Sequence, residues 1–446
     1  MTHAVRRSAA SLAAALALLG AALDTARAQA APPSQAELAQ RLERLAAELA
    51  AVKAQLAQLQ QAPAAAAAMP AALAAPGAAA PAPTAVAAAP YRVPAAAEPA
   101  TVLSSYGEIN YNRPRRASEN TQADLRRFVL GAQHRFDERT RFVGELEVEH
   151  AVSSADDAGE VALEQAYIER QLSPTWAARG GLFLVPLGLL NENHEPTAYY
   201  GVERNAVETA IIPSTWREGG VQFVGAFDNG LTLQAGLSTG FDLTKWDAAS
   251  SEGAESPLGS IHQELALARA RDVAAFGALN WRGLPGLQLG GGLFTGGASQ
   301  GQPGTPDARV TLWDLHARWT PGRWDLAGVY ARGAISNTAA WNAPLVGQPT
   351  PIPKSFDGWY AQAAYALWTR GEYALKPFVR YERVNTARAY ADLGPGLTPP
   401  GAPTERIVTL GANFQIGQGV VLKADVQRFR VASENDRVDL GIGWSF

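Results

Sequence analysis

The chain has 446 residues, a net charge of -4, no cysteine and a mean hydropathy of -0.10. This excludes disulfide frameworks and thiolate metal sites, offers no basic footprint for nucleic acid, and leaves no apolar run that would span a bilayer as a helix after the N-terminus. Eleven Trp, twelve Tyr and 42 Gly suit a membrane β-barrel with aromatic girdles and tight turns.

Residues 1–28 read as a secretory signal. Arg6 and Arg7 form the charged start, Ala9 to Leu23 the short apolar run, and Ala26-Arg27-Ala28 the small-x-small cleavage site. Over 34–60, Leu38, Leu42, Leu45, Leu49, Val52, Leu56 and Leu59 recur at spacings of four and three, an a/d seam that predicts a short α-helical coiled coil. Ser34 and Glu37 form a capping box behind Pro33. A helix of this length is marginal alone, so the seam predicts self-association, with oligomer number left open by leucine at both core positions. Residues 61–100 are almost entirely Ala and Pro, a semi-extended spacer that can build no core.

From Val102 the apolar period becomes two. Sixteen candidate strands follow: 102–111, 123–136, 140–150, 160–171, 175–185, 217–227, 231–240, 271–281, 286–295, 309–319, 323–333, 357–368, 374–383, 404–415, 419–430 and 436–446. Most have the length that a tilted strand needs to cross the hydrocarbon layer. Their connections alternate: short turns such as Asp228-Asn229-Gly230 and Pro321-Gly322, long loops centred on Arg115, Asp156, Tyr199, Ser256, Gly301, Pro344, Gly396 and Asn435. This is the plan of an outer-membrane barrel, and 101–446 is expected to be an all-β, transmembrane, 16-stranded antiparallel barrel. The plan places both termini, the turns and the coil in the periplasm.

The third long connection, 186–216 (PLGLLNENHEPTAYYGVERNAVETAIIPSTW), is polar and too long for a passive link. It is expected to fold into the barrel mouth and narrow it, carrying Glu192, Asn193, His194, Glu195, Tyr199, Glu203 and Glu208, with Arg204 among them and Arg217 and Glu218 at its exit. The pleat turns Arg127, Arg135, Arg141, Arg179, Arg318, Lys376, Arg380, Arg406 and Lys423 into the lumen. Rings of such cations select anions. Acids share that face, including Glu145, Glu147, Glu149, Asp314, Asp325, Glu382 and Asp425, so bracing by ion pairs is an equal reading for any one of them.

No catalytic set emerges. Gly236-Leu237-Ser238-Thr239-Gly240 matches a nucleophile elbow, but it ends a strand with no helix after it. His194-Glu195 lacks the second histidine of a zinc helix, and Pro196 interrupts it. We therefore expect no enzyme, no cofactor and no metal. Two further readings stand beside an anion channel: a general or weakly cation-selective porin, and a structural protein tethering the envelope through its coil, which at about 1.5 Å per residue extends about 40 Å and could reach peptidoglycan.

The segments GLFLVPLGLLNENHEPTAYYGVERN (181–205) and VETAIIPSTWREGGVQF (207–223) resemble the phosphate-selective porin O and P family of Gram-negative outer membranes. That resemblance implies a sixteen-strand homotrimeric porin in outer-membrane lipid, its third loop folded inward, passing small solutes such as phosphate over an arginine ladder and a lysine cluster. The loop here carries no Lys and is mainly acidic.

Overall fold

The computed structural model describes residues 100–154 and 159–446. The signal, the heptad helix and the Ala/Pro spacer up to 99 lie outside the described residues, as do 155–158 in the second long loop.

Seventeen hydrogen-bonded segments form the wall: β1 (Thr101–Pro114), β2 (Gln122–Arg135), β3 (Thr140–Glu149), β4 (Val161–Gln171), β5 (Trp176–Leu184), β6 (Arg217–Ala226), β7 (Leu231–Ser238), β8 (Ala274–Leu284), β9 (Leu287–Gly297), β10 (Arg309–Trp319), β11 (Trp324–Ile335), β12 (Ser355–Tyr365), β13 (Trp368–Arg370), β14 (Tyr373–Ala389), β15 (Glu405–Ile416), β16 (Val420–Phe429) and β17 (Arg437–Ser445). β12 and β13 are two parts of one stave, both paired with β14, so the barrel has sixteen staves, as the alternation predicts. Every neighbour is antiparallel, and β1 pairs with both β2 and β17. The sheet therefore closes with no free edge, the condition for strands to sit in hydrocarbon.

The sixteen predicted runs differ from these strands by a few residues at most ends. The largest difference is β14, which runs to Ala389 rather than 383. There Val384 and Asn385 are both buried, so strict alternation stops while the ladder to β12 continues across a register shift.

The wall is inverted relative to a water-soluble sandwich. Outward side chains are apolar and exposed (Leu315 60%, Leu410 56%), whereas Asp314 and Asp439 on the inner face are 1% and 0% exposed. Aromatic neighbours line the outer face, including Trp313–Tyr330, Trp324–Tyr365 and Trp359–Tyr381, with ring centroids 5.3, 4.8 and 5.5 Å apart. No helix among the described residues is long and apolar enough to cross a membrane.

The pleat corrects one expectation. Arg406 has the phase of exposed Leu410 on β15, with no bulge between them, so it points outward, not into the lumen.

The wall also encloses an apolar core. Ile211, Ile212 and Trp216 of the third loop pack with Phe241, Leu243, Leu258 and Ile261 of the fourth and with Phe294, Leu312 and Phe356 of the strands. The Trp216 ring lies 5.1 Å from Phe241 and 4.6 Å from Phe294. Each such side chain contributes about 1.5–3 kcal/mol on burial, which explains how a loop with many polar residues is held inside.

Candidate functional site: the inward loop and the lumen wall

The neck of the loop is tied by Asn191. Its Nδ2 donates to the carbonyls of Val185 (2.7 Å) and Trp216 (2.8 Å), and its Oδ1 accepts from the Trp216 N–H (2.7 Å). One side chain thus joins the two ends of the excursion. Inside the neck, the Glu208 carboxylate accepts from the Leu189 and Leu190 N–H groups (2.5 and 2.7 Å), Asn205 Nδ2 (2.9 Å) and Tyr360 Oη on β12 (3.0 Å). Gly188 permits this approach: its φ is +75°, and a Cβ there would lie 2.4 Å from Glu208 Oε1.

Beyond the neck the loop bonds to staves all around the barrel. Tyr106 Oη on β1 meets His194 Nε2 at 2.6 Å, and Tyr199 Oη donates to Glu108 on the same strand at 2.7 Å. Tyr200 Oη reaches Asp325 on β11 (3.2 Å). The N–H groups of Val202 and Ala206 donate to Asp425 on β16 (2.7 Å) and Glu382 on β14 (2.6 Å). On the near side, Gln234 on β7 donates to Glu192 (3.1 Å). A segment with partners on β1, β7, β11, β12, β14 and β16 lies across the lumen.

The inward arginines are mostly paired. Arg127 donates to Glu108 (2.9 Å) and lies 3.5 Å from Glu147. Arg141 and Arg179 share Glu169, each at 2.8 Å. Arg318 pairs with Asp325 (2.7 Å) and Arg380 with Glu382 (2.8 Å). Arg380 also donates to the Tyr200 carbonyl (3.0 Å), so it fastens the loop. Arg135 is half-buried at the short-turn end of β2. Arg204 turns back on its own loop, to Ser214, Thr215 (2.9 Å) and the His194 carbonyl (3.2 Å). Arg217 pairs with Glu264 of the fourth loop (3.2 Å).

The loop acids divide in the same way. Glu208 is sealed in the neck. Glu203 accepts from Asn112 (3.1 Å) on β1. Glu195 is exposed. Glu192 faces a cleft between the loop and the β7–β14 wall, lined also by Asn193, Tyr199, Gln234, Asn280, Arg282, Arg318 and Arg380. Burial raises the Glu192 carboxyl above its ordinary range, against the opposing effect of Arg179 and the Gln234 hydrogen bond.

Two residues of this site escape the sequence reading. Arg282 has no ion pair among the described residues and lies on β8, one residue beyond the predicted strand end at 281. Glu164 sits at a register shift between β3 and β4, which turns it inward beside Gln165. There it accepts from Tyr106 Oη (2.6 Å) and lies 3.5 Å from His194. Simple alternation cannot reveal a bulge. Glu108 and Glu169, by contrast, carry the inward phase of their strands. Among the described residues no His, Asp and Glu group is placed to hold a metal ion.

No family model matches the chain. It is 28% identical over 355 residues to an uncharacterized protein of Aquifex aeolicus (strain VF5), covering 77% of this chain and 79% of the relative. Among solved structures, Salmonella typhi OmpF in complex with daunomycin is similar at a TM-score of 0.54 and 13% identity, over 78% of this chain and 97% of that one. The outer membrane channel DcaP of Acinetobacter baumannii is similar at 0.50 and 12%, over 78% and 97%. Closed antiparallel wall, inverted pleat and these likenesses agree on one conclusion: the chain has the fold of the outer-membrane porins.

Proposed function

We propose that this protein is an outer-membrane porin for passive diffusion of small hydrophilic solutes, with a weak preference for anions. The observation that carries the reading is the cleft beside the inward loop, where Glu192 faces Arg282, Arg318 and Arg380. Arg318 and Arg380 are committed to acids of the wall. Arg282 is exposed and without an ion pair among the described residues, so its charge faces the permeating solute. A cation in a narrow, low-dielectric passage attracts anions. Phosphate is one candidate, in keeping with the resemblance of 181–205 and 207–223 to phosphate-selective porins. The cleft lining holds no lysine, however, and Lys423 lies buried under Tyr199. We therefore place small anions in general ahead of phosphate.

The test is the reversal potential of the protein in a planar bilayer under a KCl gradient. Anion preference is expected, with Arg282→Gln shifting it toward cations. Cation preference of the wild type, or no conductance at all, would sink the reading. The heptad seam at 34–60 supports self-association, which the porin resemblance makes a homotrimer, with the coil in the periplasm and cell wall as a further partner. Deleting 34–60 is expected to weaken trimers or wall association and leave single-channel conductance unchanged.

A further inference from the structure

The outer face of the wall carries a row of arginines at its long-loop end. On β14, Val379 is exposed on the outside, and Arg383 shares its phase. Arg383 stands directly opposite outward Arg406 on β15. Arg406 in turn accepts, through its carbonyl, the N–H of Arg430 (3.0 Å), which extends the ladder just past β16. Three guanidinium side chains thus occupy one cross-strand row on adjacent staves.

Like charges directly opposite each other in a sheet destabilise it unless something neutralises them. Nothing among the described residues does so here. The side chains of Arg383, Arg406 and Arg430 have no ion pair or hydrogen bond among the described residues, and Arg383 Nε is buried without a partner. The acids nearby are committed elsewhere. Glu405 accepts the backbone N–H groups of Arg406, Arg430, Val431 and Ala432 (2.7–2.8 Å). Asp357 pairs with Arg388 (3.2 Å) and Asp436 with Arg428 (2.9 Å). Further along the same three strands the outer face turns apolar, with Val379, Leu410 and Leu422 exposed.

A band of unneutralised arginine continuous with hydrocarbon-compatible surface matches an amphiphile with an anionic head. We propose that the row is a binding site for a phosphorylated glycolipid of the surrounding outer leaflet. The guanidinium forks take the phosphate oxygens, a geometry that arginine matches bidentately, and the acyl chains lie along Val379, Leu410 and Leu422. The inference rests on the outer-membrane location proposed above, with the long loops facing outward.

The test uses the full chain in detergent and two probes of identical acylation, bisphosphorylated lipid A and its dephosphorylated form, read by native mass spectrometry. The wild type is expected to retain the bisphosphorylated lipid about tenfold better than the other, and the triple variant Arg383→Gln/Arg406→Gln/Arg430→Gln to lose about that factor. Arg370→Gln, at the opposite end of the wall, is expected to match the wild type. Heat-modifiable mobility checks folding; if the triple variant does not fold, exposed Arg406→Gln alone is read the same way, with a smaller loss. Equal retention of both lipids, or unchanged retention by the variants, overturns the proposal. So does a change in subunit assembly with lipid retention intact, which would assign the row to a contact with a second copy. Conductance of the same preparations separates the two readings: a barrel that retains lipid by its phosphates but does not conduct refutes the channel alone.

Discussion

Lys423 Nζ lies 3.5 Å from the centre of the Tyr199 ring, with no hydrogen bond to any described residue. The lysine comes from β16 and the tyrosine from a loop that leaves the barrel wall at β5, so this contact holds the loop to the far side. A desolvated cation over an aromatic face contributes about 2 kcal/mol. A double-mutant cycle with Tyr199→Leu and Lys423→Met, read by urea unfolding of the detergent-solubilised barrel, is expected to show coupling of about 1–2 kcal/mol. Zero coupling would mean that the ring and the ammonium are neighbours without consequence.

Asn191 offers a second way to loosen the loop. Asn191→Ala removes three hydrogen bonds and strands the Trp216 N–H in a buried neck, while the Val185 and Trp216 carbonyls keep the N–H groups of Leu187 and Val185. The expected loss is about 2–3 kcal/mol of stability, together with noisier open-channel current as the neck opens. Quiet current and wild-type stability would show that the apolar cluster around Trp216 holds the loop unaided.

In the proposed channel, Glu192 is expected to make selectivity depend on pH. Because burial raises its carboxyl pKa, it takes up a proton as pH falls, before an ordinary carboxylate would. Protonation removes the acid from the cleft and leaves its arginines. Anion preference is therefore expected to rise as pH is lowered toward the ordinary carboxylate range. Glu192→Gln should show the high preference at every pH. The opposite slope in reversal potential, or an unchanged slope in the variant, would assign the titration elsewhere. The stability linkage has the matching sign: with the folded pKa above the unfolded one, this group's contribution falls as pH rises between the two.

The inverted pleat predicts an asymmetry between neighbours on β10. Leu315→Arg puts a charge on the lipid face and is expected to cost about 2–4 kcal/mol of folding stability in bilayers if the site is near the midplane. Thr311→Arg, toward the long-loop rim of the same face, should cost less. Equal costs in lipid-vesicle unfolding would contradict the depth dependence of a membrane wall.

Local chemistry alone determined the staves and the place of the loop. A strict period of two, broken by glycine-rich turns, is enough to count sixteen staves, because each must present one apolar face along its length. Turns such as Gly230 and Gly417, both at positive φ, end strands wherever they occur. The order of short turns and long loops then makes 186–216 the third long connection. What tertiary structure decided is which charges are free. Arg127, Arg141 and Arg179 have the same pleat phase as unpaired cations would, but acids on neighbouring staves neutralise them. The bulge at Glu164, the extension of β8 to Arg282 and the three-arginine row outside all depend on cross-strand register. Register is set between segments far apart in sequence, and a one-residue shift exchanges lumen for lipid. Periodicity within a strand therefore fixes that it has two faces, and only its neighbours fix what each charge on them meets.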